Sequence, residues 1–377
     1  MEVVAMSSIC CIIGTRPEAI KMAPVIMKLK ERDMPYYVLA TGQHTDLLTQ
    51  ALKVFNIVPN CNLSIMKEKQ SLDYITSSVL TKVGEVLDDI RPEVVLVHGD
   101  TTTTFASALA AFYRKVKIGH VEAGLRSGNM YLPFPEEANR VMTDKLSTFW
   151  FAPTKLAREN LINDGCDPSR IWVTGNTVVD ALMAVKKAAR PPKFSLDKLP
   201  TGAPMLLATV HRRESWGEPL EAICKALTKI LDDLPELYVV VPMHKNPLVR
   251  EIWQKYLGCH SRVILCDAME YDDFVWTMDR SSLILTDSGG IQEEATTLKK
   301  PVIILRDVTE RPEAVSSGTA VLAGREPSKI IELSLKILRD DKFKASILAK
   351  AGFPFGEGRA AEIIVDVLSN YIKTGKY

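Results

Sequence analysis

The chain has 377 residues, of which 46% are hydrophobic and 25% are charged, and this composition excludes the disordered and fibrous classes of protein. Its 47 basic and 46 acidic residues give a formal net charge of +1, and because there is no long basic run we expect no nucleic-acid partner. Since a domain usually holds roughly 100–200 residues, the length predicts two domains.

The N-terminal segment Met1–Ile13 has no basic start, and its apolar stretch Ile9–Ile13 is too short for a membrane span or a signal peptide. We therefore expect a soluble, cytoplasmic protein with no membrane partner. The seven cysteines form no CxxC pair, and the histidines form no pair with metal-ligand spacing. We interpret the thiols as reduced and predict no metal site; a catalytic or zinc-binding cysteine is the minor alternative.

Short apolar runs that end in Gly, Asp, His or Thr recur along the chain, and most are followed by residues with helical periodicity. This alternation predicts an α/β fold in which crossover helices join parallel strands. The near-continuous hydrophobicity of the runs predicts strands that are buried on both faces. The predicted strands are Ile9–Ile13, Tyr37–Thr41, Val94–His98, Ile118–Val121, Phe149–Ala152, Ile171–Thr174, Met205–Val210, Tyr238–Val241, Val263–Cys266, Leu283–Thr286 and Val302–Leu305.

A segment rich in proline and glycine, residues 188–204, has no sustained apolar period and predicts a linker between two domains. Residues 1–187 would then form an N-terminal Rossmann-like domain and residues 205–357 a C-terminal one. The last residues, 358–377, have the apolar spacing of a closing amphipathic helix. Its docking surface stays open, with the N-terminal domain as one candidate.

The first predicted strand leads into Gly14-Thr15-Arg16-Pro17-Glu18-Ala19-Ile20-Lys21. Thr15 and Glu18 fit a capping box, and the proline between them suits a first helical turn. A helix that starts after a strand offers free backbone N–H groups to an anion, and Arg16 adds a guanidinium that suits phosphate. A capped helix with a solvated arginine is an equally weighted alternative.

A second turn, Asp287-Ser288-Gly289-Gly290-Ile291-Gln292-Glu293-Glu294, follows the strand Leu283–Thr286. Its two glycines would let a backbone approach a ligand, and Glu294 would lie one helical turn further on, where a carboxylate can accept ribose hydroxyls. An ordinary strand-to-helix turn is the alternative. Neither turn is a GxGxxG or GxxxxGK[ST] sequence, so NAD and kinase-type ATP binding lack their usual support.

Ionisable residues gather at three further places, His98-Gly99-Asp100, His120-Val121-Glu122-Ala123-Gly124 and Pro135-Glu136-Glu137. Open α/β sheets bind their ligands at the carboxyl ends of strands. Removing an unactivated C–H proton from a sugar needs a carboxylate base, and expelling a phosphate needs an acid or a cation. The three carboxylates suit that work; helix caps or ion pairs are an evenly weighted alternative.

Cationic residues follow the first two strands of the second domain. His211-Arg212-Arg213-Glu214 follows one strand and His244 follows the next. Imidazole and guanidinium groups at these strand ends suit a diphosphate. Because a lone histidine is more often structural, we rank His211 above His244.

Taken together and in this order, these sequences strongly resemble the non-hydrolysing UDP-N-acetylglucosamine 2-epimerases. The resemblance extends through Thr174-Gly175-Asn176-Thr177 and Thr309-Glu310-Arg311-Pro312-Glu313, so it covers nearly the whole chain. The main departure is Met1–Ser7, which is longer than the family's usual entry into its first strand. The resemblance implies two doubly wound Rossmann-like domains of glycosyltransferase-B type with an active-site cleft between them.

The resemblance also implies a reaction. UDP-N-acetylglucosamine and UDP-N-acetylmannosamine would interconvert at C2 by anti elimination of UDP and its syn return to bound 2-acetamidoglucal, without a cofactor or metal. The family usually supplies bacterial surface polysaccharides, among them capsules, and the resemblance implies a homodimer. The alternatives are a hydrolysing epimerase that releases N-acetylmannosamine and UDP, a UDP-sugar glycosyltransferase, and a non-catalytic nucleotide-sugar sensor.

The resemblance assigns roles to residues in three groups. The first is catalytic, with acid–base candidates and a histidine against the departing diphosphate: Asp100, Glu122, Glu136 and His211. The second binds the substrate: Arg16, Lys21, Phe274, Ser288, Gly289, Gly290, Glu294 and Arg311. The third would bind a second UDP-N-acetylglucosamine as an activator: Gln43, Gln70, Arg212 and His244.

Overall fold

The computed structural model describes residues 8–42, 45–65, 67, 70–188, 199–309, 311–349 and 352–377, with the main chain alone at 45–47 and 213. Contacts divide the chain into two compact units. Unit 1 comprises Met1–Ala184 and Phe355–Tyr377, and unit 2 comprises Val185–Pro354. Most of the predicted linker, at 189–198, and the N-terminal Met1–Ser7 lie outside the described residues.

Unit 1 is built on a parallel sheet, and the helices alternate with its strands. Within the described residues the strand order is β3-β2-β1-β4-β5-β6-β7. The strands are β1 (Ile9–Ile13), β2 (Tyr36–Ala40), β3 (Cys61–Asn62), β4 (Val94–His98), β5 (Lys117–Val121), β6 (Phe149–Ala152) and β7 (Ile171–Val173). The helices between and after them are α1 (Arg16–Glu31), α2 (Thr45–Val54), α3 (Leu72–Ile90), α4 (Thr102–Tyr113), α5 (Glu136–Leu146), α6 (Lys155–Asn163) and α7 (Thr177–Lys187).

Unit 2 has a second parallel sheet, whose described strands run in the order β10-β9-β8-β11-β12-β13. These are β8 (Met205–Thr209), β9 (Tyr238–Pro242), β10 (Val263–Cys266), β11 (Leu283–Thr286), β12 (Val302–Ile304) and β13 (Ala320–Leu322). The helices are α8 (Glu218–Asp233), α9 (Pro247–Leu257), α10 (Tyr271–Arg280), α11 (Gly289–Thr297), α12 (Pro312–Ser316), α13 (Pro327–Arg339) and α14 (Asp341–Ala349).

The predicted fold class of two doubly wound Rossmann-like units is confirmed. Each predicted strand is present with ends within one residue of those expected. The central strands β1, β4 and β8 are buried at every position, as continuous hydrophobic runs between two helical layers require. Because all strands in a sheet are parallel, the turns after their carboxyl ends lie at one edge of that sheet, where ligands bind in folds of this kind.

A last helix, α15 (Ala360–Thr374), belongs to unit 1 although it follows unit 2 in the chain. Its apolar face includes Ile364, Val365 and Leu368, which are buried, and it packs on α1. The carboxylate of Asp180 on α7 accepts hydrogen bonds from the first two amides of α15, at 3.2 and 2.9 Å. Among the described residues, no helix has both the length and the apolar character that a membrane span requires.

Candidate active site

The turns after β1 and β4 are fastened together by one buried carboxylate. Glu18 accepts hydrogen bonds from the amides of Gly14 and Thr15 at 2.5 and 2.9 Å, so the predicted capping box is present. Its other oxygen accepts the hydroxyl of Thr101 at 2.5 Å. Burial raises the pKa of Glu18, while these hydrogen bonds act in the opposite direction. Arg16, half-buried, lies at this fixed turn.

Glu122 occupies the turn after β5 in a left-handed conformation, with φ of 68°. A side chain rarely adopts that conformation, so its presence indicates a position fixed by the surrounding structure. The carboxylate forms a buried ion pair with Lys21 and accepts the side-chain amide of Asn176 at 2.7 Å. The side chains of Lys21 and Glu122 are only 10% and 6% exposed. Two residues from distant parts of unit 1, Lys21 and Asn176, therefore hold the carboxylate of Glu122.

His98, the last residue of β4, lies beside this carboxylate. Its Nε2 is 3.8 Å from the Oε2 of Glu122, which is too long for a hydrogen bond. Burial lowers the pKa of His98 to about 3, although the charge of Glu122 acts to raise it. The ring is therefore neutral at physiological pH.

His120 on β5 is held at both ring nitrogens. Nδ1 lies 2.6 Å from a carboxylate oxygen of Asp144, and Nε2 lies 2.7 Å from the carbonyl oxygen of Gly99. Asp144 also pairs with Arg126 at 2.7 Å and accepts the amide of Gly124 at 3.2 Å. Burial acts to raise the pKa of Asp144, but the neighbouring His120 and Arg126 hold it below its ordinary value. This buried group supports the two turns that carry Asp100 and Glu122.

Asp100 lies in the turn after β4 and pairs with Arg140 on α5. Arg140 also pairs with Glu137 at 3.0 Å, and Glu137 accepts the amide of Ser127 at 2.9 Å. Glu137 is buried, whereas its neighbour Glu136, the first residue of α5, is half-buried. Of these two adjacent carboxylates, Glu137 fixes the loop and Glu136 has the greater access to a ligand.

In unit 2, the turns after β8 and β11 are joined by Asp287. Its buried carboxylate accepts the amides of His211 at 3.2 Å and Arg212 at 3.0 Å. The Nδ1 of His211 lies 3.5 Å from the same carboxylate, and 41% of the His211 side chain is exposed. Because Asp287 holds the main chain and faces the ring, the imidazole is oriented while its other side remains accessible.

The start of α11 has the features of an anion site. A Cβ built on Gly289 would lie 3.9 Å from the guanidinium groups of both Arg212 and Arg311, and one on Gly290 would have open space around it. Arg311 is fixed by an ion pair with the buried Glu293. Free backbone N–H groups, a helix dipole and two guanidinium groups favour a phosphate here. Ser288 is the residue preceding the helix.

The same helix carries Glu294, whose carboxylate accepts the hydroxyl of Tyr271 at 2.7 Å. Phe274, on α10 with Tyr271, is partly buried against a small cluster that includes Met269. Near the start of α10, oxygens of Glu270, Asp272 and Asp273 lie within 4.8 Å of one another. Such a carboxylate group could hold a cation, but exposed acidic clusters are common without one.

The four residues predicted for an activator site are divided by the structure. Arg212 and His244 belong to unit 2. Burial lowers the pKa of His244, and the charge of His211 lowers it further. Gln70 belongs to unit 1, and its buried Oε1 has no hydrogen bond. Gln43 lies outside the described residues. The activator site therefore stays a prediction.

Asp100 and Glu122 lie at strand ends, as the sequence predicts, but Glu136 begins α5 and does not follow a strand directly. The sequence did not identify several partners of these carboxylates. Asn176, Arg140 and Tyr271 contact Glu122, Asp100 and Glu294 respectively. A signal existed for Arg140, which lies one helical turn after Glu136 and on the same helical face. The functional roles assigned from the sequence stay predictions.

A family model described as UDP-N-acetylglucosamine 2-epimerase matches residues 27–369. Relatives with that name from Bacillus subtilis (strain 168) and Escherichia coli (strain K12) are 48% and 46% identical over 360 and 367 residues. Each alignment covers 95% of this chain, and 93% and 97% of the relatives, respectively.

A solved structure of UDP-GlcNAc 2-epimerase from Neisseria meningitidis, bound to UDP-GlcNAc, is similar with a TM-score of 0.90 and 43% identity. The match covers 96% of this chain and 99% of that one. Both α/β units are included in this likeness, which agrees with the expected glycosyltransferase-B type of fold.

Proposed function

The chain belongs to the UDP-N-acetylglucosamine 2-epimerase family, and from this premise we propose that it interconverts UDP-N-acetylglucosamine and UDP-N-acetylmannosamine without net hydrolysis. The observation that carries the proposal is Glu122, a buried carboxylate held in a strained turn by Lys21 and Asn176. A carboxylate fixed in this way suits proton transfer at a sugar carbon.

The proposed reaction has two stages. In the first, a carboxylate takes the proton from C2, the C1–O bond to UDP breaks, and a C1=C2 double bond forms in 2-acetamidoglucal. In the second, UDP attacks C1 again while a proton returns to the opposite face of C2, so that the configuration at C2 is inverted. Asp100, Glu122 and Glu136 are the proposed proton-transfer groups.

Unit 2 is proposed to hold UDP through its diphosphate and ribose. The anion site at Gly289 and Gly290, with Arg311, suits the diphosphate. Glu294 is proposed to accept ribose hydroxyls. His211, which Asp287 orients, is proposed to stabilise the negative charge that develops on the departing diphosphate.

The family resemblance supports further proposals about the fate of UDP, cofactors, assembly, pathway and activation. We propose that the enzyme recaptures UDP before the glycal leaves, that it needs no metal or cofactor, and that it acts as a homodimer. We also propose that its product supplies bacterial surface polysaccharides, and that a second UDP-N-acetylglucosamine activates it. The Neisseria meningitidis relative was solved with UDP-GlcNAc, which supports that substrate for this chain.

The test is proton NMR of the purified protein with UDP-N-acetylglucosamine in D₂O, without added metal or NAD. We expect UDP-N-acetylmannosamine with deuterium at C2 and with the sugar still attached to UDP. Net accumulation of free N-acetylmannosamine and UDP would instead identify a hydrolysing epimerase. Intact binding without reaction or exchange would favour a glycosyltransferase lacking its acceptor, or a sensor.

A further inference from the structure

A buried ring nitrogen next to Glu122 has no hydrogen-bond partner. His98 is only 3% exposed, and its Nε2 makes no hydrogen bond. This atom faces the Oε2 of Glu122 across 3.8 Å. Buried polar atoms are nearly always bonded, so one left unpaired beside a proposed proton-transfer group calls for a functional explanation.

The protonation state of the ring defines what Nε2 offers. Burial keeps His98 neutral, and a neutral imidazole has one donor nitrogen and one acceptor nitrogen. We assign the proton of this neutral ring to Nδ1, because Nε2 lies 3.8 Å from the Oε2 of Glu122 and donates no hydrogen bond to it. Nε2 therefore presents a lone pair to Glu122.

The groups around Glu122 suit its two protonation states differently. Lys21 and Asn176 both donate to the carboxylate, which matches an ionised Glu122. The lone pair of Nε2 cannot bond to an ionised oxygen, in agreement with the 3.8 Å separation. Once Glu122 carries a proton, its O–H becomes a donor and Nε2 is an acceptor nearby. The other charges that act on the His98 ring are those of Lys21 and His120.

We propose that Nε2 of His98 accepts a hydrogen bond from protonated Glu122 during the reaction. The inference rests on the proposed function and adds a positioning residue to it. The proton that leaves C2 is transferred to Oε2 of Glu122, where its covalent bond takes the place of one of the two hydrogen bonds donated to that oxygen. The electron pair of the C–H bond becomes the C1=C2 double bond, and UDP leaves with the electron pair of the C1–O bond. His98 takes up no proton; it stabilises the acid form of Glu122 and directs its O–H bond.

Two substitutions separate this role from a structural one. His98→Gln places a side-chain amide oxygen near the position of Nε2, whereas His98→Asn reaches only to the position of Nδ1. We expect the Asn variant to lose kcat by on the order of tenfold, the effect of one hydrogen bond, with little change in KM. We expect the Gln variant to retain most of the rate. A merely structural role through Nδ1 would reverse that order.

The pH dependence of kcat gives a second readout. Without an acceptor, protonated Glu122 loses stability relative to its ionised form. In the reaction direction in which ionised Glu122 removes the C2 proton, the acidic limb of the kcat–pH profile should therefore move to lower pH in His98→Asn. It should stay near the wild-type position in His98→Gln. His260→Gln, in the turn before β10 of unit 2, is the matched control and should change neither the rate nor the profile.

The outcomes distinguish a failure of the proposed function from a failure of the role proposed for His98. Absence of C2 exchange in the wild type would remove the proposed function, and full exchange in Glu122→Gln would remove Glu122 from proton transfer. If the wild type exchanges hydrogen at C2 and Glu122→Gln does not, equal activity of the two His98 variants, or a raised KM with unchanged kcat, would overturn the role of His98. Thermal melting of each variant establishes that it is folded.

Discussion

At the scale of single residues, Asp144 is the group through which we expect the free energy of unfolding to depend most clearly on pH. It is 1% exposed and pairs with His120 and Arg126, and its pKa lies below the ordinary value. A carboxyl with a lowered pKa in the folded state adds stability that is present above the unfolded pKa and is lost as pH falls through the folded one. We expect Asp144→Asn to lower the free energy of unfolding by about 3–5 kcal/mol at neutral pH.

Denaturant unfolding at several pH values measures this effect. The difference between wild type and variant should begin to narrow as pH falls below about 4, where Asp144 of the unfolded chain takes up a proton, and should vanish once pH has passed the lower pKa of the folded carboxyl. Asp164→Asn is the control, since Asp164 pairs with the same Arg126 at 2.8 Å but is 36% exposed. It should change stability by less than about 1 kcal/mol. A constant difference between wild type and Asp144→Asn across pH would contradict the prediction.

The residues that the sequence identifies are those whose position follows from local structure. Asp100 and Glu122 directly follow hydrophobic strands, so their place at the sheet edge can be inferred. The partners of Glu122 cannot, because Lys21 and Asn176 lie 101 and 54 residues away in the chain. His98 was visible as a strand-end histidine, but its unpaired nitrogen is a property of packing alone.

At the scale of elements, α15 is attached to unit 1 by its apolar face, which packs on α1, and by the side chain of Asp180 at its start. Asp180 on α7 accepts the amides of Ala360 and Ala361, and burial raises its pKa. These amides open the helix and have no partner within it. We expect Asp180→Ala to cost about 1–2 kcal/mol and to speed amide hydrogen exchange along α15, measured by mass spectrometry.

Asp366→Ala is the matched control because Asp366, on α15 itself, forms an exposed ion pair with Arg32 at 3.0 Å. Its loss should leave exchange along α15 close to wild type. Asp180→Asn, which keeps an acceptor oxygen, should behave between the two. If Asp180→Ala leaves exchange along α15 unchanged, Asp180 does not hold this helix.

The sequence predicts long buried strands better than short edge strands. Eleven predicted runs became strands because burial on both faces demands continuous hydrophobicity. Cys61–Asn62 and Ala320–Leu322 were not predicted, since they have two and three residues and are not fully buried. Such short segments are strands only because a neighbouring strand pairs with them.

At the scale of the whole molecule, the proposed roles assign UDP binding to unit 2 and proton transfer at C2 to unit 1, which predicts where bound UDP protects the main chain. We expect UDP alone to slow amide exchange most at residues 289–291 and 211–212 of unit 2, because the proposed diphosphate contacts lie there. Glu294→Ala should weaken UDP binding by on the order of tenfold, measured by calorimetry. Glu251→Ala, an exposed change on α9, serves as the control. Strongest protection at Glu122 with no change in unit 2 would contradict the assignment.

The two-domain organisation could be predicted from length and from the proline-rich segment, but the interruption of unit 1 could not. The apolar spacing of residues 358–377 predicts a helix with one buried face. Which surface covers that face depends on Asp180 and on α1, which are distant in sequence.

That interruption affects how the protein is made. Ribosomes synthesise a chain in one direction, and all of Val185–Pro354 emerges between the two parts of unit 1. At about 5–20 residues per second, the roughly 330 residues between α1 and α15 take about 15–65 s to synthesise, and the face of α1 that receives α15 waits that long for its partner. During that interval unit 2 can fold first, whereas nascent unit 1 exposes apolar surface. Chaperone demand should therefore peak before the final helix is translated.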